Sequence, residues 1–446
     1  MSESELIKLC KENSSAITPE IIRKFKDQIG KKDQSGCTAL MLLCKYNKFI
    51  TPEIIQELSD EIGIQNYNKT TALMLLCRDN KSITPELIRE LKDEIGVKNK
   101  NGYTALMFLC EYNKSITPEL IRELENEIGM INTFGYTALR YLCLKSKNIN
   151  PELIRELESE IGIKDKDGMT ILMELCRDKE TINLKLIREL KGSYKGTFEK
   201  SPQKKPAELK SSQNLKDKNG KTALMYLCKY NKNISVKMIK ELRDEMGNQD
   251  KDGNTALMIL CYNNYSSITS DLIRELKDEI GMKDKDGETA LMYLCEKNKN
   301  ITPELIQGLK DEIGMKDEYG ETALMYLCRN NSSITPELIR ELKDEIGMKN
   351  KYSFTALMCL CENNKNIIPE MIRELKDEIK LQDEDGMTAL MCLCKCNYET
   401  MSSGLIRELK DEIGIQDKNK NTAFNYYIHN KYINKNVVKA LLLKKF

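Results

Sequence analysis

A block with the pattern T-A-L-M-x-L-C recurs along the chain at a nearly constant interval, and this periodicity restricts the possible folds more than any other feature. Successive copies are 33 residues apart, except for two intervals of 34 residues and one of 52. The copies begin at Thr38, Thr71, Thr104, Thr137, Thr170, Thr222, Thr255, Thr289, Thr322, Thr355, Thr388 and Thr422. Residues 6–10 match the same block without its leading loop. We therefore expect about thirteen similar modules that are stable only when stacked.

The first half of a module predicts a turn followed by a short helix. In residues 284–287, D-K-D-G is typical of a turn, and glycine holds its last position in all loops except those with Lys69, Ser353 and Lys420. From Ala290, apolar residues at i, i+1, i+4 and i+5 indicate one buried stripe. Asn298 follows, and asparagine there is predicted to end the helix in the left-handed conformation.

The second half of a module predicts a second helix. Thr302 is a candidate cap, Pro303 suits the first helical position, and eight of the ten prolines occupy equivalent sites. Gly314 ends the helix. The inward stripe is predicted to contain Leu305, Ile306, Leu309 and Ile313. The solvent face is predicted to contain Gln307, Lys310, Asp311 and Glu312, and likewise Glu341, Asp344 and Glu345 in the next module.

A 33-residue unit with D-x-x-G-x-T-A-L at the turn and first helix, then a second helix that ends in glycine, resembles the ankyrin repeat. The resemblance covers almost the whole chain. It implies an all-α, ankyrin-type solenoid of about 13 helix-turn-helix units with short hairpin turns; another helical solenoid is the alternative. Two departures stand out: alanine and mostly methionine replace the proline and histidine of the family's T-P-L-H motif, and N-x-x-I-T-P replaces its glycine-histidine pair.

The 52-residue interval divides the predicted array. Residues 1–191 contain six units, of which the first is truncated, and residues 215–446 contain seven, of which the last is a C-terminal cap. Residues 192–214 between them are rich in lysine, serine and proline and are predicted to be a flexible insertion. The stack either continues beneath this loop or hinges there. Ser201, which precedes a proline, is a candidate phosphorylation site, and a plain solvated loop is the alternative.

The overall charge is nearly balanced, with 70 Lys and Arg against 69 Asp and Glu and a net charge of +1. This balance argues against nucleic acid or an anionic membrane as the partner. No apolar run approaches the roughly 18–20 residues of a membrane span, and the N-terminus does not resemble a signal peptide. We expect a cytoplasmic monomer, with a nuclear location also open.

The cysteines and acidic residues do not form a recognisable catalytic or metal-binding motif. Twelve cysteines occupy one equivalent position on the first helix, which predicts a buried row of free thiols in a reducing compartment. Cys359, Cys392 and Cys396 lie outside that row without a nearby histidine, so we expect no metal site. His429 is the single histidine of the chain. We expect no catalytic residue, no cofactor and no enzymatic activity.

Aromatic side chains form the remaining candidate site. On the first helix, the position after the methionine and the one four residues later are predicted to face away from the core, and the residue before each threonine lies beside them. The candidate residues are Tyr103, Phe108, Tyr136, Tyr141, Tyr226, Tyr230, Tyr293, Tyr326 and Phe354. The ankyrin resemblance implies that they line a concave groove that grips protein partners, whereas packing between units is the alternative. The predicted function is a non-enzymatic protein-interaction scaffold; the alternative is a structural or elastic spacer that joins assemblies through its ends.

Overall fold

The computed structural model describes residues 4–12, 14–145, 149–178, 182–196, 216–263, 268–430 and 433–443, with backbone alone for 192–196 and 443. The chain divides into two compact units, Met1–Lys218 (unit 1) and Asn219–Phe446 (unit 2), each built from consecutive repeats. Throughout the described ranges the regular elements are helices, without strands. The all-α prediction is therefore confirmed.

Each repeat begins with a first helix that opens after the repeated threonine. At Thr71 the backbone is extended, and its side-chain oxygen accepts a hydrogen bond from Met74 N at 3.4 Å. In unit 1 these helices are Glu5–Glu12, Ala39–Tyr46, Ala72–Asp79, Ala105–Tyr112, Ala138–Lys145 and Ile171–Arg177. In unit 2 they are Ala223–Tyr230, Ala256–Tyr262, Ala290–Lys297, Ala323–Asn330, Ala356–Asn363, Ala389–Cys396 and Ala423–Ile428.

The first helices are buried more completely than the predicted single stripe. All six residues from Ala39 to Cys44 are buried, including Met41 and Leu42. Within each unit, consecutive first helices pack against one another, so residues on their flanks as well as on the inner stripe are covered. The predicted row of thiols is buried as expected, and burial raises the pKa of Cys143 to about 12.

The second helices are short. In unit 1 they are Pro19–Lys24, Pro52–Glu57, Pro85–Glu90, Pro118–Glu123, Pro151–Glu156 and Leu184–Gly196. In unit 2 they are Val236–Glu241, Ser270–Glu275, Pro303–Gly308, Pro336–Glu341, Pro369–Glu374, Ser403–Glu408 and Lys435–Leu443. Most of them end at a leucine and continue as one 3-10 turn. In unit 1 these turns are Lys26–Gln28, Ser59–Glu61, Lys92–Glu94, Glu125–Glu127 and Glu158–Glu160. In unit 2 they are Arg243–Glu245, Lys277–Glu279, Lys310–Glu312, Lys343–Glu345, Lys376–Glu378 and Lys410–Glu412. Two further 3-10 turns, Ser14–Ala16 and Tyr398–Thr400, follow first helices.

The 3-10 turn corrects one prediction, because Glu312 and Glu345 are buried rather than solvated. The tighter turn breaks the 3.6-residue period and directs this glutamate inward. Glu345 Oε1 accepts a hydrogen bond from Gly314 N at 2.8 Å, and Oε2 accepts one from Leu324 N at 2.7 Å. The carboxylate thus joins the end of the preceding repeat to the first helix of its own repeat. The glutamates buried at this position of the repeat, which we call the glutamate ladder, are Glu61, Glu94, Glu127, Glu160, Glu245, Glu279, Glu312, Glu345, Glu378 and Glu412.

The asparagine after the first helix corrects a second prediction. Asn298 has φ −82° and ψ 116°, which is extended and not left-handed. The residue is retained for its side chain: Asn331 Nδ2 donates to Cys295 O at 2.8 Å and to Asn298 O at 3.0 Å in the preceding repeat. Its Oδ1 accepts from Ser333 N at 2.9 Å. These amides satisfy the last carbonyl groups of neighbouring first helices, where the family's histidine is missing.

The turns have the predicted hairpin geometry. Asp284 Oδ1 accepts hydrogen bonds from Asp286 N at 3.0 Å and Glu288 N at 2.8 Å, and Asp284 N donates to Glu288 O at 3.1 Å. Gly287 has φ +79°, and a Cβ there would lie 2.9 Å from Glu318 N of the next turn. Glycine is therefore favoured twice, by its φ and by the close approach of the next repeat.

The last repeat before the insertion differs from the others. Its second helix, Leu184–Gly196, extends into the range predicted to be flexible, because the segment D-E-I-G that elsewhere forms the 3-10 turn and glycine cap is missing. Within unit 1, Lys218 N donates to Asp167 O at 3.0 Å, the contact that adjacent turns make elsewhere. Residues 197–215 lie outside the described residues, as do Ser201 and the predicted continuity or hinge of the stack at this insertion.

Candidate functional site

We define the hairpin face of each unit as its turns together with the outer positions of its first helices. Seven aromatic rings on these positions have between 45% and 63% of their surface exposed. Unit 1 carries Tyr46, Tyr67, Tyr112 and Phe134, and unit 2 carries Tyr262, Tyr319 and Tyr352. Isolated exposed rings are ordinary on protein surfaces, and most of these seven are distinguished by their recurrence at equivalent positions of different repeats.

In unit 1 four of the predicted aromatic residues form a continuous group together with Tyr112. We call this group the unit 1 ring cluster: Tyr103, Phe108, Tyr112, Tyr136 and Tyr141. The centroid of the Tyr103 ring lies 5.1 Å from that of Phe108 and 5.2 Å from that of Tyr141. Tyr112 extends the group at 6.1 Å from Phe108, and Tyr136 at 6.1 Å from Tyr141. Phe108 and Tyr141 are buried, while Tyr112 is exposed. The cluster therefore packs two repeats together and also presents rings to solvent.

Hydrogen bonds and cations hold the unit 1 ring cluster in place. The Tyr141 hydroxyl donates to the Tyr103 oxygen at 2.5 Å and accepts from Asn132 Nδ2 at 2.8 Å. Burial, with the Tyr103 hydroxyl beside it, raises the pKa of Tyr141 well above its ordinary value. The Arg140 guanidinium lies 4.1 Å from the Tyr136 ring centroid, a cation–π contact. The cluster therefore consists of aromatic rings, two tyrosine hydroxyls and the Asn132 amide, with the Arg140 guanidinium against the Tyr136 ring.

Arg140 occupies the position that most repeats give to methionine, and it is buried. Its Nη2 lies 2.8 Å from Asp165 Oδ2, and it also pairs with Glu174 of the following repeat. Burial raises the pKa of Glu174, although the Arg140 charge opposes that shift. Removal of one partner would leave a buried charge without its counter-ion, which is strongly destabilising.

In unit 2 the equivalent positions form the unit 2 acidic network: Asp284, Glu288, Tyr293, Asp317 and Tyr326. The Tyr293 hydroxyl donates to Asp284 Oδ2 at 2.7 Å. The Tyr326 hydroxyl lies 2.6 Å from Glu288 Oε1 and 2.9 Å from Asp317 Oδ2. Burial raises the pKa of Glu288, although the hydrogen bonds with Tyr326 and Tyr293 oppose that shift.

One spacing rule underlies both groups. In four repeats a tyrosine follows the first polar residue of the turn by nine positions, and the tyrosine hydroxyl contacts the side chain of that residue. The pairs are Asn132 with Tyr141, Asp284 with Tyr293, Asp317 with Tyr326, and Asp417 with Tyr426, at 2.8, 2.7, 2.9 and 2.5 Å. In these four repeats the tyrosine therefore connects the first helix to its own turn by a hydrogen bond.

The predicted orientation of these rings is wrong for part of the set. Phe108, Tyr141, Tyr226 and Tyr326 are buried rather than turned to solvent, because first helices lie side by side and cover that flank. Tyr230 stacks on Tyr226 with 6.1 Å between ring centroids. Among the described residues, Phe354 is half-buried and contacts no other predicted ring.

Sequence reasoning missed most of the exposed rings. Phe134, Tyr319 and Tyr352 occupy the turn position that most other repeats give to asparagine or aspartate. An aromatic residue at this position of the turn cannot pack into the core, so its ring is exposed. That contrast between repeats was the available signal.

The described part of the chain contains no group of three or more His, Cys, Asp or Glu side chains arranged to hold a metal ion. Within the same residues, no helix is both long enough and apolar enough to cross a membrane.

The fold and this face define a helical repeat protein whose modules each consist of a hairpin turn and two antiparallel helices. A family model described as ankyrin repeats (three copies) matches residues 205–277 and 261–344, and the same module recurs through both units. The chain therefore contains ankyrin repeats within residues 205–344, and its other repeats share the same module. Such repeats are typically protein-binding modules and are generally not catalytic.

Among solved structures, the ankyrin repeat domain of Bcl-3, a member of the IkappaB protein family, is similar at 17% identity and a TM-score of 0.39; the match covers 54% of this chain and 99% of that one. A chain in the complex of a predatory endopeptidase from Bdellovibrio bacteriovorus with an immunity protein is similar at 19% identity and a TM-score of 0.33, over 42% of this chain and 98% of that one. No curated protein matches the sequence.

Proposed function

We propose that this chain is a non-enzymatic scaffold that binds protein partners along its hairpin faces, the surface that the ankyrin resemblance assigns to partner binding. The observation that carries the proposal is the set of exposed rings at the turn tips and at the ends of the first helices. Tyrosine and phenylalanine bury a large area on binding and lose little conformational entropy, because each side chain has two rotatable bonds. The half-buried rings behind them, such as Tyr103 and Tyr136, support the exposed ones.

The decisive experiment removes the exposed rings without disturbing the repeats. Phe134, Tyr319 and Tyr352 are each replaced by asparagine, which the chain itself uses at the equivalent turn positions Asn68 and Asn101. We expect partner capture by the full chain in affinity purification from the native cell to fall at least tenfold, with an unchanged melting temperature.

The matched control carries three substitutions on the second helices, Glu119→Gln, Glu337→Gln and Glu370→Gln, whose side chains are exposed. Because these residues lie outside the hairpin face, capture is expected to stay at the level of the unmodified chain. Equal loss in both triple variants, or no loss in either, would contradict the proposal.

A structural spacer remains the second candidate, and one observation favours it. Exposed arginines on the second helices pair with glutamates one repeat away, as in Arg89 with Glu123 at 2.6 Å and Arg373 with Glu408 at 3.0 Å. With the buried glutamates and asparagines, these contacts join successive repeats on several sides. For a spacer, the turn-tip substitutions would leave the captured proteins unchanged, and that result would select this function.

A further inference from the structure

Unit 2 contains a surface cleft of about 200 Å³ on its hairpin face, lined by the repeat that begins at Asp250 and by residues of the repeats on either side. Ile259, Met258, Tyr262 and Tyr293 provide the apolar part of its lining. Asp250 and Asp252 provide carboxylates, and Lys221 and Lys229 of the preceding repeat provide ammonium groups. The Tyr262 and Tyr293 rings meet edge to face at 5.7 Å between centroids. The volume is well above the roughly 10–15 Å³ that a single water requires, so the cleft has room for part of a side chain.

The cleft exists because one tyrosine is absent. Ile259 lies nine residues after Asp250, the position that Tyr293 and Tyr326 occupy in the next two repeats. In those repeats the tyrosine ring stands at this position and its hydroxyl donates to the aspartate of the turn. Isoleucine is shorter and has no hydroxyl, so both the volume of the ring and the hydrogen-bond donor are missing here.

The acceptor that such a hydroxyl would meet is still in place. The Asp250 side chain is only 2% exposed, and its Oδ1 accepts from Asp252 N at 3.0 Å and Asn254 N at 2.9 Å. Its Oδ2 pairs with Lys221 Nζ at 4.0 Å, the outer limit of an ion pair. A buried carboxylate oxygen favours a closer donor, because hydrogen bonds to an ionised acceptor in a low-dielectric site are strong.

We propose that this cleft takes a tyrosine side chain from a protein partner, with the ring against Ile259, Tyr262 and Tyr293 and the hydroxyl donating to Asp250 Oδ2. The partner supplies what Tyr293 and Tyr326 supply within their own repeats. The inference rests on the proposed scaffold function, since a partner on the hairpin face must carry the tyrosine. The apolar walls favour a ring, and the aspartate selects tyrosine over phenylalanine.

The test uses the full chain with ¹³C-labelled isoleucine and methionine methyl groups. N-acetyl-L-tyrosinamide is titrated up to millimolar concentration while the NMR signals of Ile259 and Met258 are followed. We expect both signals to shift in a saturable way, and N-acetyl-L-phenylalaninamide to bind at least tenfold more weakly. Sites that hydrogen-bond a substrate hydroxyl discriminate strongly against the analogue that lacks it.

Two variants keep the experiment interpretable. Ile259→Tyr restores the residue found in other repeats; it should raise the melting temperature and abolish the probe-induced shift at Met258. Asp250→Asn keeps the turn, because Asn132 has the same role elsewhere, and should weaken tyrosinamide binding about three- to tenfold through loss of the charged acceptor.

Absence of a shift at Ile259, equal affinity for the two amides, or unchanged binding to Ile259→Tyr would each overturn the assignment of tyrosine. Failure here differs from failure of the scaffold function. If the turn-tip variants lose partner capture but the probe does not bind in the cleft, only the proposal that the cleft binds tyrosine is disproved. If the probe binds while the turn-tip variants capture partners normally, the proposal that the exposed rings of the hairpin face bind partners is disproved.

Discussion

The unit 1 ring cluster and the unit 2 acidic network occupy the same positions of the same repeat but differ in chemistry. The residue before the repeated threonine is Tyr136 in one and Glu288 in the other, and the first residue of the turn is Asn132 or Asp284. In both turns, Oδ1 accepts the same two backbone hydrogen bonds.

The difference therefore lies in the other polar side-chain atom of that residue, the amide nitrogen of Asn132 or the second carboxylate oxygen of Asp284, and in the groups that contact it. In unit 1 aromatic rings pack over a buried arginine, and in unit 2 carboxyl groups surround tyrosine hydroxyls. The repeat thus uses one side-chain atom to build the turn and the other to bind the neighbouring tyrosine, so one fold carries two different groups of side chains at the same positions.

The buried glutamates give the largest expected effect and should show no difference between the units. Glu127→Gln in unit 1 and Glu345→Gln in unit 2 each place an amide NH2 against a backbone N–H, leaving a buried donor unpaired. We expect each substitution to lower the free energy of unfolding by about 1–3 kcal/mol. Chemical denaturation monitored by circular dichroism measures this. A lower free energy of unfolding for only one of the two variants would show that the glutamate ladder does not have the same role in both units.

A pH series gives the next effect. Burial raises the pKa of most of the ladder glutamates above the ordinary 4.5, as at Glu94, Glu127, Glu345 and Glu378. A raised pKa means that the folded state binds more protons, so stability is fully present below about pH 4.5 and is lost as pH rises through the folded pKa. We expect the melting temperature to fall by several degrees between pH 5 and neutrality. A rise over this interval would contradict the assignment.

At lower pH we expect the melting temperature to change with pH in the opposite direction, and this effect differs between the units. Burial opposes a lowered pKa at Glu321 of unit 2, but the Arg329 guanidinium, 2.6 Å from Nη1 to Oε2, holds the pKa of this carboxyl below its ordinary value. The equivalent residue in unit 1 is Tyr103 or Tyr136. The stability that Glu321 contributes is lost as pH falls below 4.5, so Glu321→Gln should reduce the acid sensitivity of melting.

Removal of one hydroxyl from each group compares the two surfaces directly. Tyr326→Phe leaves two carboxyl groups without their shared donor, and Tyr141→Phe removes a contact between neutral groups. We expect about 1–2 kcal/mol for Tyr326→Phe and roughly half of that for Tyr141→Phe. Tyr352→Phe, on an exposed ring, is the control and should change little. Equal costs at Tyr326 and Tyr141 would remove the electrostatic distinction between the surfaces.

The smallest effect concerns the turns that lack glycine. Lys69 in unit 1 has φ +59° and Ser353 in unit 2 has φ +62°, a region that disfavours residues with a Cβ. Lys69→Gly and Ser353→Gly should each stabilise the protein by about 0.5–1 kcal/mol. Thermal melting measures the gain, and Gly287→Ala is the reverse control that should destabilise. No gain in either variant would mean that contacts of the lysine and serine side chains offset the backbone strain.

Much of the local structure was predictable. Thr71 predicts the start of a first helix, Pro303 the start of a second helix, and Gly287 a turn. Each prediction holds because the residue acts on the backbone next to it. The burial of the cysteine row was predictable for the same reason, since a residue at one register position of every module meets the same neighbours. Glu345 and Asn331 were not predictable, because their polar side chains pair with backbone groups of the preceding repeat.

By itself, the sequence determined the number of modules, their helix pairs, the turns with left-handed residues and the apolar stripe. Each of these depends on interactions within about one 33-residue period. Only the tertiary structure decided which glutamate enters the core, what the asparagine binds, which rings are covered and where a cleft remains. Those outcomes depend on contacts between residues in different repeats, such as Glu345 with Gly314 and Tyr326 with Glu288, 31 and 38 positions apart. Stacking, and not local chain preference, brings such residues together.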